Sequence, residues 1–361
     1  MTAAGRAIGF ALGAALLFGL STPAAKALLA VADPWLLAGL LYLGSGLGLC
    51  GVRMARRAAG RPPREAPLRR EDLPWLAGAV VAGGGVGPVL LMFGLSGEAA
   101  ARASLLLNLE GVLTALLAWW LFREHIDRRI ALGMGLITAG GVVLAWQSGR
   151  GFALESSAML VAAACLAWAV DNNLTRKISG GDPTLIAAVK GGAAGAVNLT
   201  IAVVRGTPLP PVASVVSIAA VGFLGYGVSL VLFVRALREL GAARTGGYFS
   251  TAPFIGAVAA IATLGEPFTM RLMAGGAVMA AGVWLHVSER HEHQHVHEPF
   301  EHEHLHAHDA HHRHAHDSGT LASEPHSHRH AHAGLRHAHP HYPDLHHRHG
   351  HSDRPEPDDR P

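Results

Sequence analysis

The chain has 361 residues, of which half are apolar and 15% are charged, and its formal net charge is +3. Soluble domains average roughly 25% charged residues, so this composition excludes an ordinary soluble globular protein. The charge is unevenly divided, because the segment from Arg290 onward holds twelve acidic and seven basic residues and leaves the rest of the chain basic. Arginines between apolar segments are typical of a membrane protein and do not indicate a nucleic-acid partner.

Ten apolar windows predict an all-α integral membrane protein that lies in the lipid bilayer. A helix needs about 20 mostly apolar residues to cross a bilayer, and each window meets this requirement. The first window is assigned to a membrane helix and not to a signal peptide, since nine others follow and it has no convincing cleavage site. In chain order, the windows are Ile8–Ala30, Pro34–Val52, Leu73–Leu95, Ala103–Phe122, Ile130–Gln147, Ser156–Leu174, Thr184–Val204, Ser214–Ala236, Gly241–Leu264 and Arg271–Val287.

The ten windows fall into two related halves. An ungapped shift of 142 residues pairs Glu124 with Glu266 and Arg102 with Arg244, together with several glycines, among them Gly83/Gly225, Gly85/Gly227, Gly133/Gly275 and Gly140/Gly282. Five spans per copy are an odd number, so the two copies must have opposite orientations in the membrane. We therefore predict two inverted repeats, residues 1–147 and 148–288, with a binding site near the midplane between them, as in many secondary transporters.

The distribution of lysine and arginine predicts the orientation. With the N-terminus inside, the inner segments before the tail hold sixteen Lys and Arg residues, seven of them in the loop after the second span, against five at the outer ends. Basic loops resist translocation. We expect a multi-pass protein of the plasma (inner) membrane with both termini in the cytoplasm.

Five polar residues within or at the ends of spans are candidates for substrate binding or ion coupling. Glu110 lies about seven residues into the fourth span, where a carboxylate is costly unless it is paired, hydrated or protonated; it either couples transport to a cation or is a helix-end carboxyl that reaches water or a neighbour. Lys190 can extend to the inner surface, which favours a structural role. Asp171 and Asn172 close the sixth span and can line an inner mouth, and Asn108 is a further candidate.

Pro88 and Pro253 interrupt two spans, and each removes a backbone donor that lipid cannot replace. Each either kinks its helix at a cavity or bends a packed helix, and both interpretations stay open.

The motifs of nucleotide binding and of zinc hydrolases, GxxxxGK[ST] and HExxH, are missing from the sequence. Outside the tail, only His125 and His286 could act as histidine catalysts, and neither shares a window with an acid and a nucleophile. The sequence thus favours a transporter driven by an ion or solute gradient over an enzyme, with no cofactor required for the body.

Residues 289–361 form a polar tail that holds all but two of the chain's 25 histidines. Its composition, without periodic apolar residues, predicts disorder in the absence of metal. Neutral imidazole is a common ligand of Zn, Ni, Co and Cu, and alternating histidines place several imidazoles within reach of one ion. The candidate metal ligands are His291, His293, His295, His297, His302, His304, His306, His308, His311, His312, His314, His316, His326, His328, His330 and His332.

Three segments resemble the EamA family of the drug/metabolite transporter superfamily. Leu107–Glu124, LNLEGVLTALLAWWLFRE, is similar to the family's NLEPxxxALLAxLxLGE stretch, and Thr251–Pro267, TAPFIGAVAAIATLGEP, is similar to its second copy. Phe18–Lys26 resembles the family's opening WGxxxxxxK. Gly111 stands where the family usually has proline, and Ala252 replaces the glutamate of the first copy. The resemblance implies ten helices, an inverted repeat and small-molecule export, and it does not name a substrate.

Two functions remain open. The first is a secondary exporter of a small metabolite or drug-like solute, with the tail as a metal buffer or sensor. The second is an exporter of Ni, Co or Zn cations, which would require His, Asp, Glu or thiolate clusters within the membrane. The spans offer few such ligands, which favours the first function. A homodimer is compatible with either.

Overall fold

The computed structural model describes residues 3–60, 68–122, 128–146, 154–178, 181–240 and 242–288, and the backbone of four segments of the tail. The described part of the body consists of helices joined by short connections. Its helices are α1 Ala3–Leu28, α2 Pro34–Ala58, α3 Leu73–Ala79, α4 Gly87–Gly97, α5 Ala100–Leu106, α6 Leu109–Phe122, α7 Arg128–Ala145, α8 Ser156–Lys177, α9 Pro183–Val204, α10 Val212–Gly222, α11 Ser229–Leu240, α12 Ala242–Phe249, α13 Ala252–Leu264 and α14 Met270–Val287.

These helices form ten spans. Within the described ranges, nine helical stretches are long and apolar enough to cross a membrane, and a shorter apolar helix at Met270–Leu285 makes the tenth. The prediction of an all-α, ten-span membrane protein is therefore confirmed. We call the side on which α1 begins and α14 ends the tail side, and the opposite side the far side.

The second span of each five-span half begins in the same way. Asp33 precedes Pro34, and its carboxylate accepts a hydrogen bond from the backbone N–H of Trp35 (2.9 Å). Asp182 precedes Pro183 and accepts from the backbone N–H groups of Thr184 and Leu185 (2.8 and 3.2 Å). A capping aspartate with proline at the first helical position is a strong helix start.

The helices α2 and α9 pack closely along their length. A Cβ atom placed on Gly191 would lie only 2.8 Å from the backbone nitrogen of Gly46, so the two helices touch backbone to backbone at this point. Within a bilayer, such contacts between small residues are what hold helices together.

Four spans are interrupted, at places that correspond under the 142-residue shift. The third and eighth spans contain π-helical segments, Val80–Val86 and Phe223–Val228. The fourth span breaks between α5 and α6, where the side-chain amide of Asn108 donates to the carbonyl of Leu105 (3.0 Å). The ninth span breaks between α12 and α13, where the hydroxyl of Ser250 donates to the carbonyl of Gly247 (2.7 Å).

In the tail, the structure describes the backbone of four strands where the sequence predicted disorder. Strand β1, Glu292–His297, pairs with β4, Leu335–Pro340, and β2, Phe300–His306, pairs with β3, His326–His332; both pairs are antiparallel. Histidine alternates with other residues in these segments, and a period of two suits a strand. The rest of the tail, including His291, His308, His311, His312, His314 and His316, lies outside the described residues.

Candidate substrate site

A buried ion pair joins α8 and α9. The ammonium of Lys190 lies 2.5 and 2.7 Å from the two carboxylate oxygens of Asp171. The hydroxyl of Thr175 donates to Asp171 (2.8 Å) and accepts from Lys190 (3.2 Å). Only 9% of Lys190 and 6% of Asp171 is exposed. The interpretation that Lys190 extends to the membrane surface is therefore wrong, because the antiparallel neighbour α8 presents a carboxylate at the same depth, roughly 10 Å from the helix ends.

Glu110 lies beside this pair. It stands in the first turn of α6, about halfway along the span Ala100–Leu121. Its carboxylate accepts a hydrogen bond from the side-chain amide of Asn172 (2.8 Å), which also lies 3.4 Å from the hydroxyl of Thr114. The break before α6 places the positive end of a helix dipole at Glu110, which favours an anion there. Glu110 is half-buried and Asn172 is exposed, so this carboxylate is more accessible than that of Asp171.

Pro88 frees backbone carbonyls in the π-helical segment next to the ion pair. Proline has no N–H, so it cannot donate to the carbonyls of Gly83 and Gly84 one turn earlier. Other spans supply the missing donors: the hydroxyl of Tyr42 and the indole N–H of Trp168 both donate to Gly83 (2.9 Å each). The amide of Asn198 donates to Gly84 (3.0 Å).

Asp171 packs directly against this segment. A Cβ atom on Gly83 would overlap the carboxylate of Asp171, so glycine is required for the close approach. The polar cluster thus extends over five spans, from Tyr42 on α2 to Lys190 on α9. π-Helical segments within α-helices are frequently found at functional sites.

The structure brings together most, but not all, of the residues predicted from the sequence. Glu110, Asp171, Asn172 and Lys190 form one cluster, and Pro88 joins it through the carbonyls that it frees. Asn108 and Pro253 instead mark the helix breaks: Asn108 bonds within its own span, and Pro253 lies in the first turn of α13.

Tyr42 and Trp168 also belong to the cluster and were not predicted. Trp168 precedes Asp171 by three residues and therefore shares its helix face. A lone tyrosine or tryptophan within an apolar span also needs a partner for its O–H or N–H when it is buried. Both signals were present in the sequence.

A second charged group lies at the far side. Arg102 forms an ion pair with Glu98, and its guanidinium donates to both carboxylate oxygens of Glu155 (3.0 and 2.7 Å). Burial raises the pKa of Glu98 above its usual range, against the opposing effect of Arg102. These contacts connect the start of the fourth span to the start of the sixth.

No group of three or more His, Cys, Asp or Glu side chains that could hold a metal ion occurs among the residues whose side chains are described. The tail's histidines fall outside that set.

Ten spans, interrupted helices at matching places and a polar cluster buried among the spans are the features of a multi-pass transporter. The EamA-like transporter family matches residues 5–146 and 155–288, and the chain belongs to this family. Its members are transporters and not enzymes.

Two relatives are similar over most of their length. An "Uncharacterized transporter" of Methanothermobacter thermautotrophicus is 30% identical over 290 residues, 75% of this chain and 83% of the relative. A "Probable terminal-alkyne amino-acid exporter" of Streptantibioticus cattleyicolor is 29% identical over 252 residues, 66% of this chain and 84% of the relative. A crystal structure that is 19% identical superposes with a TM-score of 0.58, covering 78% of this chain and 96% of that one, which supports the fold.

Proposed function

We propose that the protein is a secondary active exporter of a small organic solute and that Glu110 carries the coupling proton. The observation that supports this role is the half-buried carboxylate of Glu110 halfway through a membrane span. The carboxylate of Asp171 is ion-paired with the ammonium of Lys190 (2.7 Å), whereas the carboxylate of Glu110 accepts a hydrogen bond from the neutral amide of Asn172. Glu110 is therefore the carboxylate better able to exchange a proton. Intramembrane carboxylates of this kind form proton relays in transporters.

The solute class that we propose is amino-acid-like. A relative that covers two thirds of this chain carries the name of an amino-acid exporter. An amino acid carries an ammonium group and a carboxylate. The cluster offers carboxylate and amide oxygens to the ammonium group of such a solute, and hydroxyl and amide donors to its carboxylate. We place the protein in the plasma membrane, and the excess of Lys and Arg on the tail side supports the cytoplasm as the place of both termini.

Inverted vesicles with an acidic interior test this function. Acridine orange reports the pH gradient, and a solute that exchanges for protons should dissipate it. We expect one or more of the twenty amino acids to do so with the native chain. Glu110→Gln removes the titrating group but keeps its size, and should abolish the response.

Glu71→Gln is the matched control for this experiment, because Glu71 is an exposed carboxylate whose side chain is 72% accessible. It should respond like the native chain. A full response from Glu110→Gln would exclude Glu110 from coupling. NiCl2, CoCl2 and ZnCl2 are added in parallel, and dissipation by these salts alone would support a metal-cation exporter instead.

We also propose that the tail binds Ni, Co, Zn or Cu and buffers or senses these metals. Its support is the concentration of histidines after residue 290. Imidazole binds metal only when it is neutral, so the affinity should fall as the pH drops through about 6.5.

Truncation after Glu289 tests the tail. In calorimetric titrations with NiCl2 at pH 7.5, the full chain should bind the metal and the truncated chain should not, and binding by the full chain should be weaker at pH 5.5. Equal nickel binding by both versions would contradict the proposal. The response to amino acids in vesicles should be the same for both, because the tail lies outside the spans.

A further inference from the structure

A glutamate of the second repeat caps a helix of the first repeat. The two carboxylate oxygens of Glu266 accept hydrogen bonds from the backbone N–H groups of Ala100 and Ala101, each at 2.7 Å. Helix α5 begins at Ala100, and its preceding residue Ala99 provides no side-chain cap. The first turn of a helix leaves backbone donors unpaired, so Glu266 supplies the partners that α5 lacks in its own segment. We call this contact the far-side latch.

The far-side latch lies where α5 and α13 meet. These helices are the far-side halves of the two broken spans. Ser104 on α5 lies against α13, since a Cβ atom on Gly256 would be 2.8 Å from its hydroxyl oxygen. Ser104 is 1% exposed, and its hydroxyl is one of two buried hydroxyls without a hydrogen-bond partner among the described side chains. A buried hydroxyl without a partner is costly. A second conformation that opens this interface would let water hydrogen-bond to the hydroxyl of Ser104.

We propose that the far-side latch closes the far side of the transporter in this structure and opens in the opposite state. In an inverted-repeat transporter, access to the site alternates between the two sides as one repeat moves against the other, so a contact between the repeats on the far side must break when that side opens. This inference does not depend on the solute that is carried.

The labelling rate of a thiol at Ser104 measures the opening of the far side. The full chain, with Cys50→Ser, Cys165→Ala and Ser104→Cys, is placed in nanodiscs and treated with N-ethylmaleimide. Glu266→Gln is then added to this variant. It leaves one acceptor oxygen for the backbone N–H groups of Ala100 and Ala101, and it removes the negative charge of the carboxylate. The loss of a helix cap typically corresponds to about a fivefold change in an equilibrium constant, so the labelling rate should rise roughly fivefold.

Asp33→Ala provides the comparison in the same background. It removes the side-chain cap of α2 on the same side of the membrane, without touching α5, and should leave the labelling rate of the Ser104→Cys thiol unchanged. Glu71→Gln, an exposed carboxylate, should leave the rate unchanged. An unchanged rate with Glu266→Gln would overturn the proposal. A similar rise with Asp33→Ala and with Glu266→Gln would also overturn it, because such a result would reflect general loosening of the fold.

Discussion

Replacing Lys190 by methionine is expected to lower the free energy of unfolding by about 3–5 kcal/mol, the largest effect of any single substitution considered for this protein. The carboxylate of Asp171 would remain almost fully buried against Gly83 without the ammonium that lies 2.7 Å away. Denaturant titration of the purified protein in detergent measures the change, and the thermal midpoint should fall with it.

Two further variants show whether the loss comes from the unpaired charge. Asp171→Asn combined with Lys190→Met removes both charges and should recover most of the stability. Lys177→Met is the matched control, because Lys177 is exposed and lies over the ring of Trp75 (5.9 Å to its centroid), a contact worth roughly 0.5–1 kcal/mol at such sites. If the double variant is as unstable as Lys190→Met alone, the ion pair is not the cause.

Gly83→Ala is expected to abolish transport and to destabilise the protein by about 1–3 kcal/mol. The added methyl group would overlap the carboxylate of Asp171, and the carbonyl of Gly83 itself is held by hydrogen bonds from Tyr42 and Trp168. Asp171 must therefore move away from Lys190. The vesicle assay and the thermal midpoint give the two readouts.

Gly85→Ala serves as the control, because it lies two residues away in the same π-helical segment. A Cβ atom on Gly85 would have its nearest neighbour at 3.7 Å, the carbonyl oxygen of Val80, which is ordinary contact. Alanine also favours a helix over glycine. Transport by Gly85→Ala should match the native chain. Equal losses from the two variants would show that the segment needs flexible glycines and not space for Asp171.

The number and order of the spans could be predicted from the sequence because each is a long apolar run. The repeat could also be predicted, since glycines and charged residues recur at one spacing. Polar contacts between spans were harder. Gly83 receives donors that lie 41 and 85 residues away, and the donor to Gly84 is 114 residues away. Which helices are neighbours is a property of the packed fold and not of any local pattern.

Lys190 shows why a residue's depth alone does not determine its role. Its distance from the helix end allowed it to reach the membrane surface, and that is the usual behaviour of lysine. Its actual partner follows from the arrangement of α8 beside α9, which places Asp171 at the same level. Similarly, Glu266 was seen as part of a repeated motif, but its role as a cap required knowing that it meets α5, 166 residues earlier.

The close contact between α2 and α9 has a mechanical consequence. These two helices hold the same place in the two halves, and at Gly46 and Gly191 they meet backbone to backbone with no side chain between them. A side chain can change its rotamer and let an interface slide, but a backbone contact cannot adapt in this way. Such a backbone contact keeps α2 and α9 together while still allowing a small rotation of one helix against the other about the point of contact. In inverted-repeat transporters one half moves against the other, and a pair of helices in such contact is suited to be the pivot of that motion.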